Sequence, residues 1–143
     1  MRVSPSPVTV LLVEDHLDDL ILAQRAFKKA GIKATLVVCR DGEQAIQYLA
    51  GTGAFADRQR SPFPSLVLLD WKLPQRSGHE VLQWIRAQSA LDCLPVVVCS
   101  SSKEPEDVSR AYQAAANGYL EKPLEPRSLL ELLDRFDLKR EEA

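Results

Sequence analysis

Five side chains with strong chemistry each stand at the end of a short apolar run. Glu14 and Asp15 follow Val8 to Val13, Asp70 closes Leu66-Val67-Leu68-Leu69, Ser100 closes a valine-rich run from Pro95, and Lys122 follows Gly118 to Glu121. Three carboxylates drawn together repel one another unless a cation lies among them. Oxygen ligands of this kind suit a hard ion such as Mg2+, which keeps several waters and binds through one or two carboxylates and phosphate oxygens. Aspartate can also carry a phosphoryl group as an acyl phosphate, which makes Asp70 the candidate nucleophile. Lys122 and the metal would neutralise the phosphoryl oxygens, and positioning with electrostatics supplies most of what phosphoryl transfer needs. The Ser100 hydroxyl can donate to such an oxygen. A plainer reading makes Glu14, Asp15 and Asp70 caps of helices and turns, but it leaves Ser100 and Lys122 without an account.

These residues meet only if the runs are neighbouring parallel strands, because an open parallel sheet puts every carboxyl end on the edge where such folds bind ligands. The chain alternates in that way. Strands are expected at Val8 to Val13, Thr35 to Cys39, Leu66 to Asp70, Pro95 to Ser100 and Gly118 to Lys122. Helices are expected at Leu17 to Ala30, Glu43 to Ala50, Ser77 to Ala87, Pro105 to Ala116 and Pro126 to Phe136. The first strand lacks polar alternation, as a strand covered on both faces should. Asp18 and Asp19 favour the start of the first helix through its dipole, and Gly31 stops it. Pro105 and Pro126 suit a first helical turn, where the missing N–H costs nothing. Strand then helix, five times over, implies right-handed crossovers and an α/β sheet with helices on both faces. The stretch Gly51 to Ser65, with Pro62, Pro64 and the charged Asp57-Arg58-Gln59-Arg60, is expected to be a surface loop, functional or mobile.

The chain's 143 residues, 45% of them hydrophobic, fit one domain with a substantial core. With 18 basic and 20 acidic residues and a formal net charge of −2, it lacks the basic face that nucleic acid requires. No run approaches the ~20 apolar residues that span a bilayer, and the expectation is a cytoplasmic protein. Cys39, Cys93 and Cys99 form an odd, unpaired set, which reads as reduced thiols, two of them buried. Residues 1–7 are expected to be disordered, residues 8–138 to form the domain, and residues 139–143 to be a short polar tail without an output domain. Tyr119 is either a half-buried edge tyrosine or a residue that swings with Ser100. His16 reads as a solvent-facing residue at a helix start, Lys72 as a side chain pointing to solvent, and His79 as a helix-surface residue.

The set Glu14-Asp15, Asp70, Ser100, Tyr119 and Lys122-Pro123 resembles the receiver domain of two-component response regulators. The spacings agree: 30 residues from Asp70 to Ser100, 22 from Ser100 to Lys122, and Gly78 eight beyond Asp70. The resemblance implies a flavodoxin-like, doubly wound fold with strand order 2-1-3-4-5. It implies Mg2+ held by Glu14, Asp15, Asp70 and the Lys72 carbonyl, with phosphotransfer from a histidine kinase to Asp70. It also implies slow self-hydrolysis tuned at Lys72 and Ser102, a conformational readout through Ser100 and Tyr119, and a cis bond between Lys122 and Pro123. The kinase would dock near Leu17, Leu20, Ile21 and Pro123-Leu124. The Gly51 to Ser65 loop and the run Leu69-Asp70-Trp71-Lys72-Leu73-Pro74 are similar to regulators paired with bacterial and cyanobacterial phytochromes. Glu14 stands where aspartate is more frequent and Ser100 where threonine is commoner.

On this reading the chain is a phosphoacceptor signalling protein with its own phosphorylation and dephosphorylation chemistry rather than an enzyme with a separate substrate, and its downstream protein target is unidentified. A haloacid-dehalogenase-type phosphatase would place a second aspartate where Lys72 stands. A receiver-like adaptor that never handles phosphate would not need the acids and Lys122 together. Leu129, Leu130, Leu132, Leu133 and Phe136 exceed one core-facing stripe, so a homodimer through the fourth helix, fifth strand and fifth helix is expected.

Overall fold

The computed structural model describes residues 8–138; the segments 1–7 and 139–143, expected to be a disordered start and a polar tail, lie outside the described residues. Five strands, β1 (Val8–Val13), β2 (Ala34–Cys39), β3 (Leu66–Asp70), β4 (Val96–Ser100) and β5 (Gly118–Glu121), pair in parallel in the order β2-β1-β3-β4-β5. Helices α1 (Leu17–Lys29), α2 (Gly42–Ala50), α3 (Gly78–Ala87), α4 (Pro105–Gln113) and α5 (Pro126–Arg135) alternate with them. This is the flavodoxin-like arrangement, with its switch point between β1 and β3.

Side chains alternate across a strand, so each central strand feeds two cores. Leu11, Val13, Val67, Leu69, Val96 and Val98 pack with α2, α3 and α4, whereas Val10, Leu12, Leu66, Leu68, Val97 and Cys99 pack with α1 and α5. Every residue of β3 and β4 is buried, which explains their unbroken apolar sequence.

Local chemistry sets most boundaries. The Asp41 side chain accepts from the Gln44 amide at 2.7 Å to open α2, and Ser77 with Glu80 forms a capping box that opens α3. One boundary needs correction. Helix α4 stops at Gln113, not Ala116, because Ala115 adopts the left-handed conformation (φ 71°) while the Ala116 amide bonds back to the Ala111 carbonyl. On α1, Leu20, Ala23, Ala26 and Phe27 face the core, while Leu17 and Ile21 are exposed. The stripe that reaches the sheet runs at spacings of three, three and one from Leu20.

The Gly51 to Ser65 segment lies on the surface but is fastened down. Arg58 donates to the carbonyls of Tyr48 (2.8 Å), Leu49 (3.0 Å) and Ser61 (3.2 Å), so its guanidinium satisfies the carboxyl end of α2. The Tyr48 hydroxyl donates to the Pro62 carbonyl at 2.6 Å, and a short 3-10 turn at Gly53–Phe55 sets Phe55 against the Tyr48 ring.

Candidate functional site

The register of the sheet brings the four runs to a common edge. Val13 pairs with Leu69, Asp70 with Cys99, and Ser100 with Glu121. Glu14, Asp70, Ser100 and Lys122 thus stand at or one step beyond the ends of adjacent strands. Glu14, Asp70 and Ser100 are all buried polar residues, 3%, 5% and 3% exposed. Burying such groups is unfavourable unless each finds a partner.

Lys122 supplies most of the partnership. Its Nζ lies 2.6 Å from Glu14 Oε1, 3.1 Å from Asp19 Oδ2 and 3.4 Å from Asp70 Oδ1. The bond between Lys122 and Pro123 is cis. Burial by itself would lower the lysine's pKa, but the bonds to Glu14 and Asp19 and the charges of Asp70 and Glu14 outweigh it and hold the ammonium above its ordinary value.

Asp70 shows the opposite balance. Burial pushes its carboxyl up to about 6 against the pull of Lys122, and the Glu14 carboxylate adds to the upward shift. Its Oδ1 accepts from the Lys72 amide at 3.3 Å, whereas its Oδ2 is buried without any hydrogen-bond partner. An unsatisfied buried acceptor of this kind is uncommon and costs about 1–3 kcal/mol. A cation or a phosphoryl group at this position would supply what the atom lacks.

The remaining expected residues are distributed around this centre. Ser100 Oγ accepts from the Ser102 amide at 3.1 Å, and the Tyr119 hydroxyl donates to the Ser102 carbonyl at 2.9 Å, so both touch the same turn after β4. Ser102 itself donates to Asp107 Oδ2 at 2.6 Å. Asp15 is half-buried, and its carbonyl accepts from Arg40 Nη2 at 2.8 Å. The Lys72 side chain is exposed, and His79 stands edge-on to the Trp71 ring at 5.4 Å. Among the described residues, the metal-ligand atoms within 4.8 Å of one another belong to Glu14, His16 and Asp19. His16 is exposed as expected, with its amide donating to Glu14 Oε2 at 3.1 Å.

Gly78 fixes the loop that follows Asp70. A Cβ on Gly78 would stand 2.3 Å from the Asp70 carbonyl oxygen and 2.7 Å from Trp71 Cα, both backbone atoms. The Gly78 amide donates to the Trp71 carbonyl at 3.0 Å. The sequence reading missed Asp19 as a member of the site. Its place in the first turn of a helix that begins at the carboxyl edge was the available signal.

Residues 10–134 match the family model described as the response regulator receiver domain. The chain belongs to that family. Response regulator Rcp1 of Synechocystis sp. is 36% identical over 134 residues, which cover 94% of this chain and 89% of Rcp1. The structure of the bacteriophytochrome response regulator AtBRR is similar to this receiver domain with a TM-score of 0.84 at 34% identity, covering 97% of this chain and 99% of that one. The Mn2+-bound form of Rcp1 gives a TM-score of 0.76 at 34% identity, covering 95% of this chain and 98% of that one. No helix among the described residues is long and apolar enough to cross a membrane.

Proposed function

We propose that this receiver domain takes a phosphoryl group onto Asp70 from the phosphohistidine of a phytochrome-type histidine kinase, in a Mg2+-dependent reaction. The observation that carries the reading is the Asp70 carboxylate, buried at the sheet edge with Oδ2 unpartnered and Lys122 3.4 Å from Oδ1. Glu14, Asp15, Asp70 and the Lys72 carbonyl would hold the metal, which when bound supplies positive charge beside the phosphoryl oxygens. A carboxylate oxygen of Asp70 forms a bond to phosphorus as the phosphorus–nitrogen bond to the kinase imidazole breaks, and the imidazole nitrogen takes up a proton. Lys122 neutralises a phosphoryl oxygen, and the Ser100 hydroxyl donates to another. Drawing Ser100 toward the phosphoryl group disturbs its contact with the Ser102 amide, and the Tyr119 hydroxyl on the Ser102 carbonyl reports the change to the α4, β5 and α5 face. Lys72 and Ser102 tune the lifetime of the acyl phosphate.

The similarity to phytochrome response regulators favours that class of kinase. Its docking surface centres on exposed Leu17, Ile21 and Leu22 of α1. Leu20, expected there from the sequence, is buried in the core and leaves that set. Homodimerisation through the α4, β5 and α5 face belongs to the same reading. Its support is exposed Tyr112, since Leu129, Leu132 and Leu133 are consumed by the core and Leu130 and Phe136 pack against it.

Intact mass after incubation with acetyl phosphate and Mg2+ tests the reaction. The protein should gain one phosphoryl group, and neither Asp70→Asn nor an EDTA-treated sample should gain any. A gain that survives Asp70→Asn would move the acceptor elsewhere and end this reading.

A further inference from the structure

Among the described residues Lys122 is the one lysine or arginine within ion-pair distance of Glu14 and Asp70, yet the carboxylate it meets second most closely belongs to neither strand end. Asp19 Oδ2 accepts from Nζ at 3.1 Å, closer than Asp70 Oδ1 at 3.4 Å. Asp19 is half-buried and lines the same cleft as Glu14, Asp70, Lys122, Pro123 and Leu124. An ammonium has three donors, and the three carboxylates around it leave none for a further anion. On the phosphoacceptor reading above, the ammonium must turn toward a phosphoryl group on Asp70. Glu14, at 2.6 Å and nearly fully buried, is the partner least able to release it, so Asp19 is the one given up.

We propose that Asp19 is a positioning residue that holds Lys122 back from Asp70 in the unphosphorylated protein and thereby slows phosphoryl uptake. Its charge acts through the lysine, not on the phosphoryl group directly. Asp18, the next residue in the chain, is exposed and provides a control of equal charge.

The test follows phosphoryl uptake from acetyl phosphate with saturating Mg2+, in which the acetate oxygen–phosphorus bond breaks as the Asp70 oxygen–phosphorus bond forms. Asp19→Asn should accelerate uptake about threefold to fivefold, the rate equivalent of losing one partly exposed ion pair. Asp18→Asn should leave the rate unchanged and Asp19→Glu should restore it. In a Lys122→Met background, Asp19→Asn should have no effect on the residual rate. Equal acceleration by Asp18→Asn, or an acceleration that persists with Lys122→Met, would reduce the effect to bulk charge and overturn the proposal.

A second readout needs no phosphate. Urea midpoints of the unmodified protein, Asp19→Asn, Lys122→Met and the double variant, all in EDTA, should be non-additive, because the two residues share one interaction. Additive midpoints would overturn the hold on Lys122 even if uptake is fast. Failure of every variant and of the unmodified protein to accept phosphate, with non-additive midpoints, would instead remove the phosphoacceptor reading and leave the Asp19 contact standing.

Discussion

The two edges of the sheet each place a cation among oxygens, and they do so in opposite ways. At the amino edge, Arg86 donates to the carbonyls of Ala115 (2.9 Å), Leu94 (3.0 Å) and Leu91 (3.3 Å) and to Asn117 Oδ1 (2.7 Å). Asn117 Oδ1 also accepts from the Val96 amide at 2.8 Å, which ties the start of β4 to the same cluster. A planar fork thus meets neutral acceptors that belong to the backbone or are fixed to it. At the carboxyl edge, Lys122 shares a compact charge among Glu14, Asp19 and Asp70, and one Asp70 oxygen has no partner. Burial lowers the affinity of Arg86 for its proton, whereas at Lys122 the surrounding acids reverse that tendency. A guanidinium on carbonyls thus locks a fold, while a flexible ammonium on carboxylates leaves an arrangement that another anion can redraw.

The sharpest way to break the carboxyl edge is Gly78→Ala. Its Cβ would meet Asp70 and Trp71 backbone 2.3 and 2.7 Å away, and neither can move without shifting β3. The expected loss is about 3–4 kcal/mol in urea unfolding; a loss near zero would mean that the loop relaxes freely. Next comes the buried charge itself. The Asp70 carboxyl rises from 3.8 to about 6 on folding, so the native state holds its proton longer than the unfolded chain. The stability associated with that proton is present below about pH 4 and lost as pH rises through about 6, on the order of 2–3 kcal/mol. Asp70→Asn escapes the loss, so its advantage over the unmodified protein should grow across this window; a constant gap would remove the shift.

At the opposite edge, Arg86→Met should lower stability by about 2 kcal/mol by leaving half-buried carbonyls unpaired. Arg86→Lys should not recover it in thermal melts, since an ammonium cannot present the same fork. The smallest effect has the opposite sign. Ala115 sits at φ 71° with its carbonyl on Arg86, and Ala115→Gly should stabilise the protein by about 0.5–1 kcal/mol because glycine adopts that conformation without a Cβ clash. A destabilised Ala115→Gly would show that the left-handed end of α4 carries no strain.

Legibility in the sequence followed the range of the interactions. Strands β1 and β3 coincide with their expected bounds, since continuous apolar runs ending in an acid need no distant information to be recognised. Helix α3 opens on Ser77 and Glu80, a local pair, whereas the end of α4 was invisible because alanine gives no sign of a left-handed turn. The Gly51 to Ser65 segment read as an open loop from its prolines and charges. Only the fold showed Arg58 turned back onto the end of α2, a contact between residues nine and ten positions apart. Leu20 illustrates the same limit on α1, where several leucines compete for the core and the sheet chooses among them.

Four apolar runs that carry two acids, one acid, a hydroxyl and a lysine at or just past their ends, and the alternation of strands and helices, are legible in the sequence alone. Those features rest on side-chain type and short-range periodicity, which are properties of the chain itself. Tertiary structure decided that Asp19 joins the group around Lys122, that Asp70 keeps one oxygen without a partner, and that Leu22 rather than Leu20 faces outward. Each of those facts depends on how α1 settles against the sheet and on residues up to 103 positions apart meeting in space. Distances between groups so far apart in the chain are fixed by packing, and no local pattern encodes them.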